Sequence, residues 1–258
     1  MSLKNKVALV TGAGRGIGRA SAIGLGKQGA CVAISARSQN ELEELAAAIN
    51  AGEGNALVLV DDLTDRAAPA RILDTIAEKW GPVEILVNNA GVGSSQNPKP
   101  LVDFDDDFWD LTFAVNVTAP YRFTKLALPS MIERGWGRIV NVASIAAKLT
   151  ALDAAAYTAS KHAIVGLTKA TAKEVAAKGI TANAVCPGVT RSLMNDKRIE
   201  YDAQRLGISF EDVEKQSTPL GRRLDPEEIA SLVVYLAQEE SGGINGQAIN
   251  VCGGTIMM

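Results

Sequence analysis

Short apolar runs alternate with longer segments of helical periodicity along most of the chain. The apolar runs have the length of buried strands and predict strands at residues 6–11, 31–35, 56–60, 85–87, 138–142, 181–185 and 248–251. Helical periodicity predicts helices that end near residue 28 and that cover 40–50, 65–79, 105–134, 154–177 and 226–238. Repeated strand–helix units indicate an α/β fold, with a parallel sheet of about seven strands and helices on both of its faces.

Two segments depart from this alternation. The helical pattern of 105–134 weakens between Asn116 and Pro120, because proline cannot donate a backbone N–H. Residues 189–220 mix apolar and charged positions and are expected to form an irregular insert. No Pro- or Ser-rich linker divides the chain, so we expect residues 1–258 to form a single domain.

Composition excludes several classes of function. The net charge is -3 and the basic residues are scattered, which argues against a nucleic-acid-binding protein. The apolar runs are far shorter than the ~18 residues of a membrane-spanning helix, and a strand pattern begins too early to leave room for a signal peptide. We therefore expect a cytoplasmic protein without a membrane partner. Cys31, Cys186 and Cys252 are widely separated, which predicts buried thiols rather than disulfides or a metal site.

A glycine-rich turn follows the first predicted strand. It reads Gly12-Ala-Gly14-Arg-Gly16-Ile-Gly18 and precedes a helical pattern. Glycines allow a tight turn and close approach of a pyrophosphate, and the helix N-terminus offers free N–H groups. This order of strand, turn and helix predicts a dinucleotide site, and the alternative is a plain tight turn.

The residues beyond the glycine turn favour NADP(H) over NAD(H). An NAD site usually has an acid about 20 residues after the turn, but no Asp or Glu lies between Gly18 and Asn40. Arg37 ends the second predicted strand instead, and Arg15 lies within the turn. Two guanidinium groups suit a 2′-phosphate because they remain charged and donate in a planar fork. The alternative is that Arg37 is a solvated residue at the end of a strand.

Tyr157 and Lys161 are candidates for acid–base chemistry. Residues four apart on a helix share one face, and a nearby ammonium favours the phenolate and lowers the tyrosine pKa. Tyr121 and Lys125 have the same spacing, so the spacing alone does not identify the catalytic pair.

The motifs together resemble the short-chain dehydrogenase/reductase family, and the resemblance covers nearly the whole chain. It is carried by Thr11-Gly-Ala-Gly-Arg-Gly-Ile-Gly18, Asn88-Asn-Ala-Gly91, Asn116, Ser144 and Tyr157-x-x-x-Lys161. Ser144 ends the fifth predicted strand thirteen residues before Tyr157, as in the family, and nothing comparable precedes Tyr121. The resemblance implies a single-domain, Rossmann-type, doubly wound sheet and selects the pair at 157 and 161.

The same resemblance implies a role for four catalytic residues. Tyr157 is the general acid that protonates the carbonyl oxygen in a reduction, and Lys161 lowers its pKa and binds the nicotinamide ribose. Ser144 donates a hydrogen bond to the same carbonyl oxygen. Asn116 holds a water that links Lys161 to solvent; the alternative for Asn116 is a helix-capping amide.

The expected cofactor contacts combine the glycine turn and the two arginines with positions implied by the resemblance. Among the latter, Asp62-Leu63 meets adenine, 89–91 approaches the adenosine ribose, and 187–189 holds the nicotinamide carboxamide; either Thr190 or Ser192 meets the phosphates. The full set is Gly12, Gly14, Arg15, Gly16, Ile17, Gly18, Arg37, Asp62, Leu63, Asn89, Ala90, Gly91, Tyr157, Lys161, Pro187, Gly188, Val189, Thr190 and Ser192.

The expected substrate pocket is apolar. Residues 189–223 could form a lid that closes over the substrate, and the alternative is an interaction arm. The pocket residues that the resemblance implies include no cation that could bind a carboxylate. This favours a neutral ketone, a β-keto ester or a carrier-bound 3-oxoacyl group over a free keto acid. These positions are Val92, Gly93, Ala146, Leu149, Leu152, Val189, Leu193 and Met194.

The C-terminal half is most similar to 3-oxoacyl and polyketide ketoreductases, which implies an NADPH-dependent carbonyl reductase. One alternative is an oxidising secondary-alcohol or hydroxybutyrate-type dehydrogenase, because the same residues serve both directions. Another is a non-catalytic dinucleotide-binding regulatory protein. The resemblance also implies a homotetramer, for which the apolar tail Ile256-Met257-Met258 could provide an interface.

Overall fold

A seven-stranded parallel sheet forms the centre of the computed structural model, which describes residues 2–257. The strand order is β3-β2-β1-β4-β5-β6-β7, and every neighbouring pair is parallel. The predicted doubly wound α/β fold is therefore confirmed. The strands are β1 (Val7–Thr11), β2 (Cys31–Ala36), β3 (Asn55–Val60), β4 (Ile85–Asn88), β5 (Gly137–Val142), β6 (Ile180–Pro187) and β7 (Ala248–Val251).

Helices cover both faces of this sheet. Their bounds are α1 (Gly16–Lys27), α2 (Gln39–Asn50), α3 (Ala68–Trp80), α4 (Asp106–Phe113), α5 (Ala119–Arg134), α6 (Ala155–Val175), α7 (Leu193–Leu206), α8 (Phe210–Gln216) and α9 (Pro226–Leu236). Side chains along β1 alternate between two core clusters, with Ala8 and Val10 facing α1, α2 and α9. Val7 and Leu9 face α3, α5 and α6. Burial on both faces explains why the central strands β1, β2 and β4 are mainly apolar.

The strand order reverses beside β1, which pairs with β2 on one side and with β4 on the other. Ligands of open parallel sheets bind beyond the carboxyl ends of the strands at such a switch point. The glycine turn after β1 and the segment after β4 both lie at this edge.

The predicted weak point in 105–134 is a π-helical turn, Ala114–Thr118, between α4 and α5. Its closing bond runs from Ala119 N–H to the Ala114 carbonyl, five residues back. Pro120 lies in the first turn of α5, where its missing N–H is tolerated. Asn116 is consequently carried by the widened turn and is buried.

The prediction of an irregular insert at 189–220 is wrong, because α7 and α8 form there. Both helices begin at a serine cap: Ser192 accepts a hydrogen bond from Asn195 N–H, and Ser209 accepts one from Asp212 N–H. Their many charges mask the helical apolar period, and ion pairs such as Arg198–Asp202 support the helix instead.

The described residues also bear on three smaller expectations. Cys186 and Cys252 are buried and Cys31 is half-buried, and all three are free thiols. No helix within residues 2–257 is long and apolar enough to cross a membrane. In the C-terminal tail Ile256 is buried and Met257 is exposed, whereas Met258 lies outside the described residues.

Candidate active site

Ser144, Tyr157 and Lys161 come together at the carboxyl end of β5. Ser144 follows that strand and caps a short 3-10 turn, where its Oγ accepts a hydrogen bond of 3.1 Å from Ala146 N–H. Tyr157 and Lys161 lie on the first two turns of α6. The Lys161 Nζ lies 5.6 Å from the centroid of the Tyr157 ring, so the spacing of four residues places both groups on one helix face.

Lys161 is almost fully buried, with an exposed fraction of 5%. Its Nζ donates a hydrogen bond of 2.9 Å to the carbonyl oxygen of Val142, the last residue of β5. Burial lowers the pKa of Lys161 to about 8, because the charged ammonium loses hydration. The pKa of Lys161 is therefore much closer to neutral pH than that of an exposed lysine.

Burial also raises the pKa of Tyr157, and the hydroxyl of Ser144 opposes this rise. The direction differs from the sequence expectation that Lys161 lowers this pKa. The physical reason is that burial removes the phenolate from water, which is the largest effect on this pKa. Tyr157 consequently keeps its proton at neutral pH.

Asn116 fixes the segment that follows β4. Its Oδ1 accepts a hydrogen bond of 2.7 Å from Val92 N–H, and its Nδ2 donates to the Val92 carbonyl and to Ser160 Oγ, both at 3.0 Å. It lies inside a π-helical turn and does not cap a helix. The side-chain amide is therefore engaged with protein groups, and it ties this segment to α6.

The glycine turn is locked against the segment 88–91. Thr11 Oγ1 accepts hydrogen bonds from Asn89 N–H (3.0 Å) and Ala90 N–H (3.1 Å). Gly12 has a φ of +62°, and a Cβ added there would lie 2.7 Å from the Ala90 Cα. A Cβ added to Gly91 would lie 3.7 Å from Lys161 Nζ, so the segment 88–91 reaches from the glycine turn to the Tyr157–Lys161 pair. This edge of the sheet is the expected cofactor crevice.

The two predicted phosphate-binding arginines lie at the outer end of this crevice. The side chains of Arg15 and Arg37 are 64% and 75% exposed, respectively. Each faces a carboxylate: Arg15 Nη1 is 3.7 Å from Glu41 Oε1, and Arg37 Nη1 is 3.9 Å from Asp62 Oδ2. Glu41 was not among the predicted site residues, although an acid in the first turn of α2 was a signal for it.

The backbone after β6 borders the other side of the glycine turn. Gly188 N–H donates to Val251 O at 2.8 Å, and a Cβ on Gly188 would lie 2.7 Å from the Cys252 Cα. Thr190 is buried, and its hydroxyl donates to the Gly188 carbonyl at 3.0 Å. A Cβ on Gly16 would lie 3.8 Å from the Ser192 Cβ. Ser192 is thus placed beside the glycine turn, whereas the Thr190 hydroxyl is bonded to the backbone after β6.

Three further predicted cofactor residues have surroundings of their own. Ile17 and Leu63 are partly buried and pack against the two core clusters. Pro187 is the last residue of β6 and is buried. These side chains shape the crevice walls from behind.

The predicted substrate residues follow β4, β5 and β6 or lie at the start of α7, and they differ in burial. Met194 packs on Gly93, and Ser95 Oγ donates to the Met194 carbonyl at 2.9 Å. Val92 is buried, whereas Ala146 and Val189 are half-buried. The most exposed members of the set are Leu149 (41%), Leu152 (58%), Leu193 (60%) and Met194 (39%).

Helix α7 is tied to the loop that precedes α6. Arg198 Nη1 donates to the Leu152 carbonyl at 3.1 Å, and Tyr201 OH donates to Asp153 Oδ2 at 2.5 Å. At the base of the insert, the buried Arg223 pairs with Asp196 and Glu214. Sequence reasoning did not identify these tethers, because their partners are far apart in the chain.

The described residues contain no candidate metal centre. Across residues 2–257, no group of three or more His, Cys, Asp or Glu side chains is placed to hold a metal ion. The site that the structure shows is therefore one of hydroxyl, phenol and ammonium groups next to a glycine-lined crevice.

The chain is similar to known oxidoreductases over its whole length. The sequence model of the family described as short chain dehydrogenase matches residues 6–202. A D-beta-hydroxybutyrate dehydrogenase of Cupriavidus necator is 35% identical, covering 98% of this chain and 99% of the relative. A 3-oxoacyl-(acyl-carrier-protein) reductase of Salmonella typhimurium is 36% identical over 100% of both chains.

Solved structures give the same picture. A crystal structure of a variant actinorhodin polyketide ketoreductase with NADPH superposes with a TM-score of 0.90 at 36% identity, covering 98% of both chains. A structure described as a gluconate dehydrogenase from Agrobacterium tumefaciens gives a TM-score of 0.88 at 32% identity, covering 99% of this chain and 98% of the other.

Proposed function

This chain belongs to the short-chain dehydrogenase family and is an oxidoreductase that uses a nicotinamide dinucleotide, and we propose that it reduces ketones to secondary alcohols with NADPH. The observation that carries the proposal is the convergence of Ser144, Tyr157 and Lys161 beside Gly91, where the glycine-lined crevice ends. Relatives described as ketoacyl reductases support the direction of reduction.

Tyr157 is the proposed proton donor to the carbonyl oxygen. Because burial raises its pKa, the phenol is protonated at neutral pH, which is the state that a donor requires. The hydroxyl of Ser144, which touches Tyr157, is proposed to donate a second hydrogen bond to the same carbonyl oxygen. A bound nicotinamide would supply the hydride.

Lys161 and Asn116 are the proposed positioning and proton-supply groups. Lys161 Nζ lies at the crevice near Gly91, where it can bind the nicotinamide ribose. Because the Asn116 amide is engaged with Val92 and Ser160, a water in its proposed relay to Lys161 would be held by the main-chain carbonyl of Asn116.

The proposed preference for NADPH rests on Arg15 and Arg37. Both guanidinium groups are well exposed at the outer end of the crevice and are permanently charged. Gly12 leaves no room for a side chain between the turn and Ala90, as a close-fitting pyrophosphate cradle requires. The relative whose structure contains NADPH supports the same choice.

The proposed substrate is a neutral ketone, a β-keto ester or a carrier-bound 3-oxoacyl group. Leu149, Leu152 and Leu193 give the predicted pocket exposed apolar side chains, and no cation occurs among the predicted pocket residues. We propose that residues 189–223 act as a lid on this pocket within one domain. The contacts of Arg198 and Tyr201 with the loop before α6 support this role.

A homotetramer is the proposed assembly. Helix α5 exposes Tyr121 (45%), Leu126 (45%) and Ile132 (40%), which gives an apolar surface for a second copy. Light scattering at micromolar concentration tests this proposal, and a monomer would contradict it.

A spectrophotometric screen of NADPH consumption over ketones, β-keto esters and acyl thioesters tests the activity. Tyr157→Phe should lower kcat by about a hundredfold or more, the usual contribution of a general acid, with NADPH affinity unchanged. Tyr121→Phe is the matched control and should keep full activity, since its spacing to Lys125 is the same but its side chain is exposed. Persistent activity of Tyr157→Phe would refute the mechanism.

A further inference from the structure

Glu41 occupies a place at the cofactor crevice that the proposed function does not use. It lies in the first turn of α2, where the helix N-terminus stabilises a negative charge. A Cβ on Gly14 would lie 2.5 Å from Glu41 Oε2 and 3.1 Å from the Glu41 Cβ, so the side chain packs against the glycine turn. The carboxylate is therefore held beside the turn from which Arg15 projects.

Glu41 and Arg15 form an ion pair at the outer end of the crevice. The separation of Arg15 Nη1 and Glu41 Oε1 is 3.7 Å, and the two side chains are 64% and 37% exposed. Exposed pairs of this kind are weak, so Arg15 is free to turn toward another anion. A phosphate that recruits Arg15 there has to compete with the Glu41 carboxylate and is repelled by it.

The same carboxylate would attract a ribose hydroxyl rather than repel it. A hydroxyl can donate a hydrogen bond to a carboxylate, which is how acids bind the 2′-hydroxyl of NAD. The acid expected for NAD is absent between Gly18 and Asn40, but Glu41 is the next residue and its carboxylate returns to the turn. Glu41 thus has the chemistry of a hydroxyl acceptor and lies beside Arg15, which suits a phosphate.

We propose that Glu41 limits the preference for NADP(H) over NAD(H) by weakening the binding of a 2′-phosphate. The inference rests on the proposed function, in which Arg15 and Arg37 bind that phosphate. Asp62 also faces an arginine, with its Oδ2 3.9 Å from Arg37 Nη1, but it lies in an exposed loop after β3. Glu41 instead packs against the glycine turn. Arg37 attracts the 2′-phosphate, and Glu41 reduces the preference for NADP(H) that this attraction produces.

Direct binding to the intact protein tests the proposal without turnover. Adenosine 2′,5′-bisphosphate and adenosine 5′-monophosphate differ only in the 2′-phosphate, and isothermal titration calorimetry measures the affinity for each. Glu41→Gln should tighten the bisphosphate by about fivefold, the upper range for an exposed charge pair, and should leave the monophosphate unchanged or weaker. The ratio of kcat/KM for NADPH to that for NADH should rise by a similar factor.

Glu44→Gln is the matched control, since it makes the same charge change on the next turn of α2. An equal gain in Glu44→Gln would overturn the proposal by showing a general effect of net charge. Weaker bisphosphate binding in Glu41→Gln would also overturn it, because Glu41 would then position Arg15 for the phosphate. No change in Glu41→Gln would do the same.

Arg37→Asp separates this inference from the proposed function. A wild-type protein that binds the two nucleotides equally, with no loss of bisphosphate affinity in Arg37→Asp, would refute the NADPH preference. Under that outcome, a gain in Glu41→Gln would still support the role of Glu41, and no gain would refute both. The gain should shrink at 0.5 M salt, because screening weakens charge effects between exposed groups.

Discussion

Replacement of Lys161 by Met should stabilise the protein at neutral pH. The Lys161 ammonium is 5% exposed and has one protein hydrogen bond, to the Val142 carbonyl. Burial lowers its pKa from the ordinary value of 10.5 to about 8, so the folded state binds this proton more weakly than the unfolded state does. Methionine fills a similar volume without a charge and removes this unfavourable contribution to the free energy of unfolding.

The magnitude follows from the two pKa values. The difference between 10.5 and about 8 corresponds to about 3 kcal/mol at pH 7, because one pKa unit is about 1.4 kcal/mol. Loss of the hydrogen bond to the Val142 carbonyl offsets about 1 kcal/mol of this. Lys161→Met should therefore raise the free energy of unfolding by about 2 kcal/mol at pH 7.

The sign of the pH dependence is fixed by the depressed pKa. Below pH 8 the lysine is charged in both states, and the folded state bears the full cost of burying the charge. Between pH 8 and 10.5 the folded lysine is neutral and the unfolded one is still charged, so raising the pH stabilises the wild type. The advantage of Lys161→Met should consequently fall to near zero by about pH 10.

Urea denaturation at fixed protein concentration, at pH 7 and pH 10, measures both effects. Lys125→Met is the control, because Lys125 follows Tyr121 at the same spacing but is exposed, and it should change stability by less than about 0.5 kcal/mol at either pH. A loss of stability in Lys161→Met at pH 7, or a difference from wild type that does not vary with pH, would refute the reasoning.

Three further substitutions test other parts of the structure. Tyr201→Phe removes a hydrogen bond between α7 and the loop before α6, and steady-state kinetics should show a KM raised by up to about tenfold; an unchanged KM would contradict a lid. Gly12→Ala places a Cβ 2.7 Å from the Ala90 Cα at a φ of +62°, so calorimetry should detect no nucleotide binding. Arg223→Met leaves two carboxylates without their buried cation and should cost about 3 kcal/mol in urea denaturation, whereas Arg222→Met, at an exposed pair, should cost much less.

The strands were predictable because the sheet is covered on both faces. β1, β5 and β6 are buried at every position, so each is mainly apolar, although β5 includes Arg138 and Asn141 and β6 includes Thr181 and Asn183. Helices α7 and α8 were missed because they are rich in charged residues and are stabilised by serine caps and ion pairs. Apolar periodicity does not report such local polar interactions.

The site was predictable in its members more than in its electrostatics. The family motifs select Ser144, Tyr157 and Lys161, and the fold brings these residues together. The direction of the Tyr157 pKa was not predictable, because it depends on the depth of burial and not on the spacing to Lys161. Glu41 was missed because it lies in α2, far from the glycine turn in the sequence, and only the folded structure brings its carboxylate to that turn.

Two pairs of equal spacing thus acquire different chemistry from their environments. Tyr121 and Lys125 lie on the exposed side of α5, where water solvates both groups. Tyr157 and Lys161 lie where α6 passes the end of β5, and burial moves the pKa of the lysine toward neutrality while the tyrosine keeps its proton. We propose that the desolvation that destabilises the fold at Lys161 also prepares this pair to hold and transfer a proton. For that reason stability and activity should change in opposite directions at Lys161, and in neither direction at Lys125.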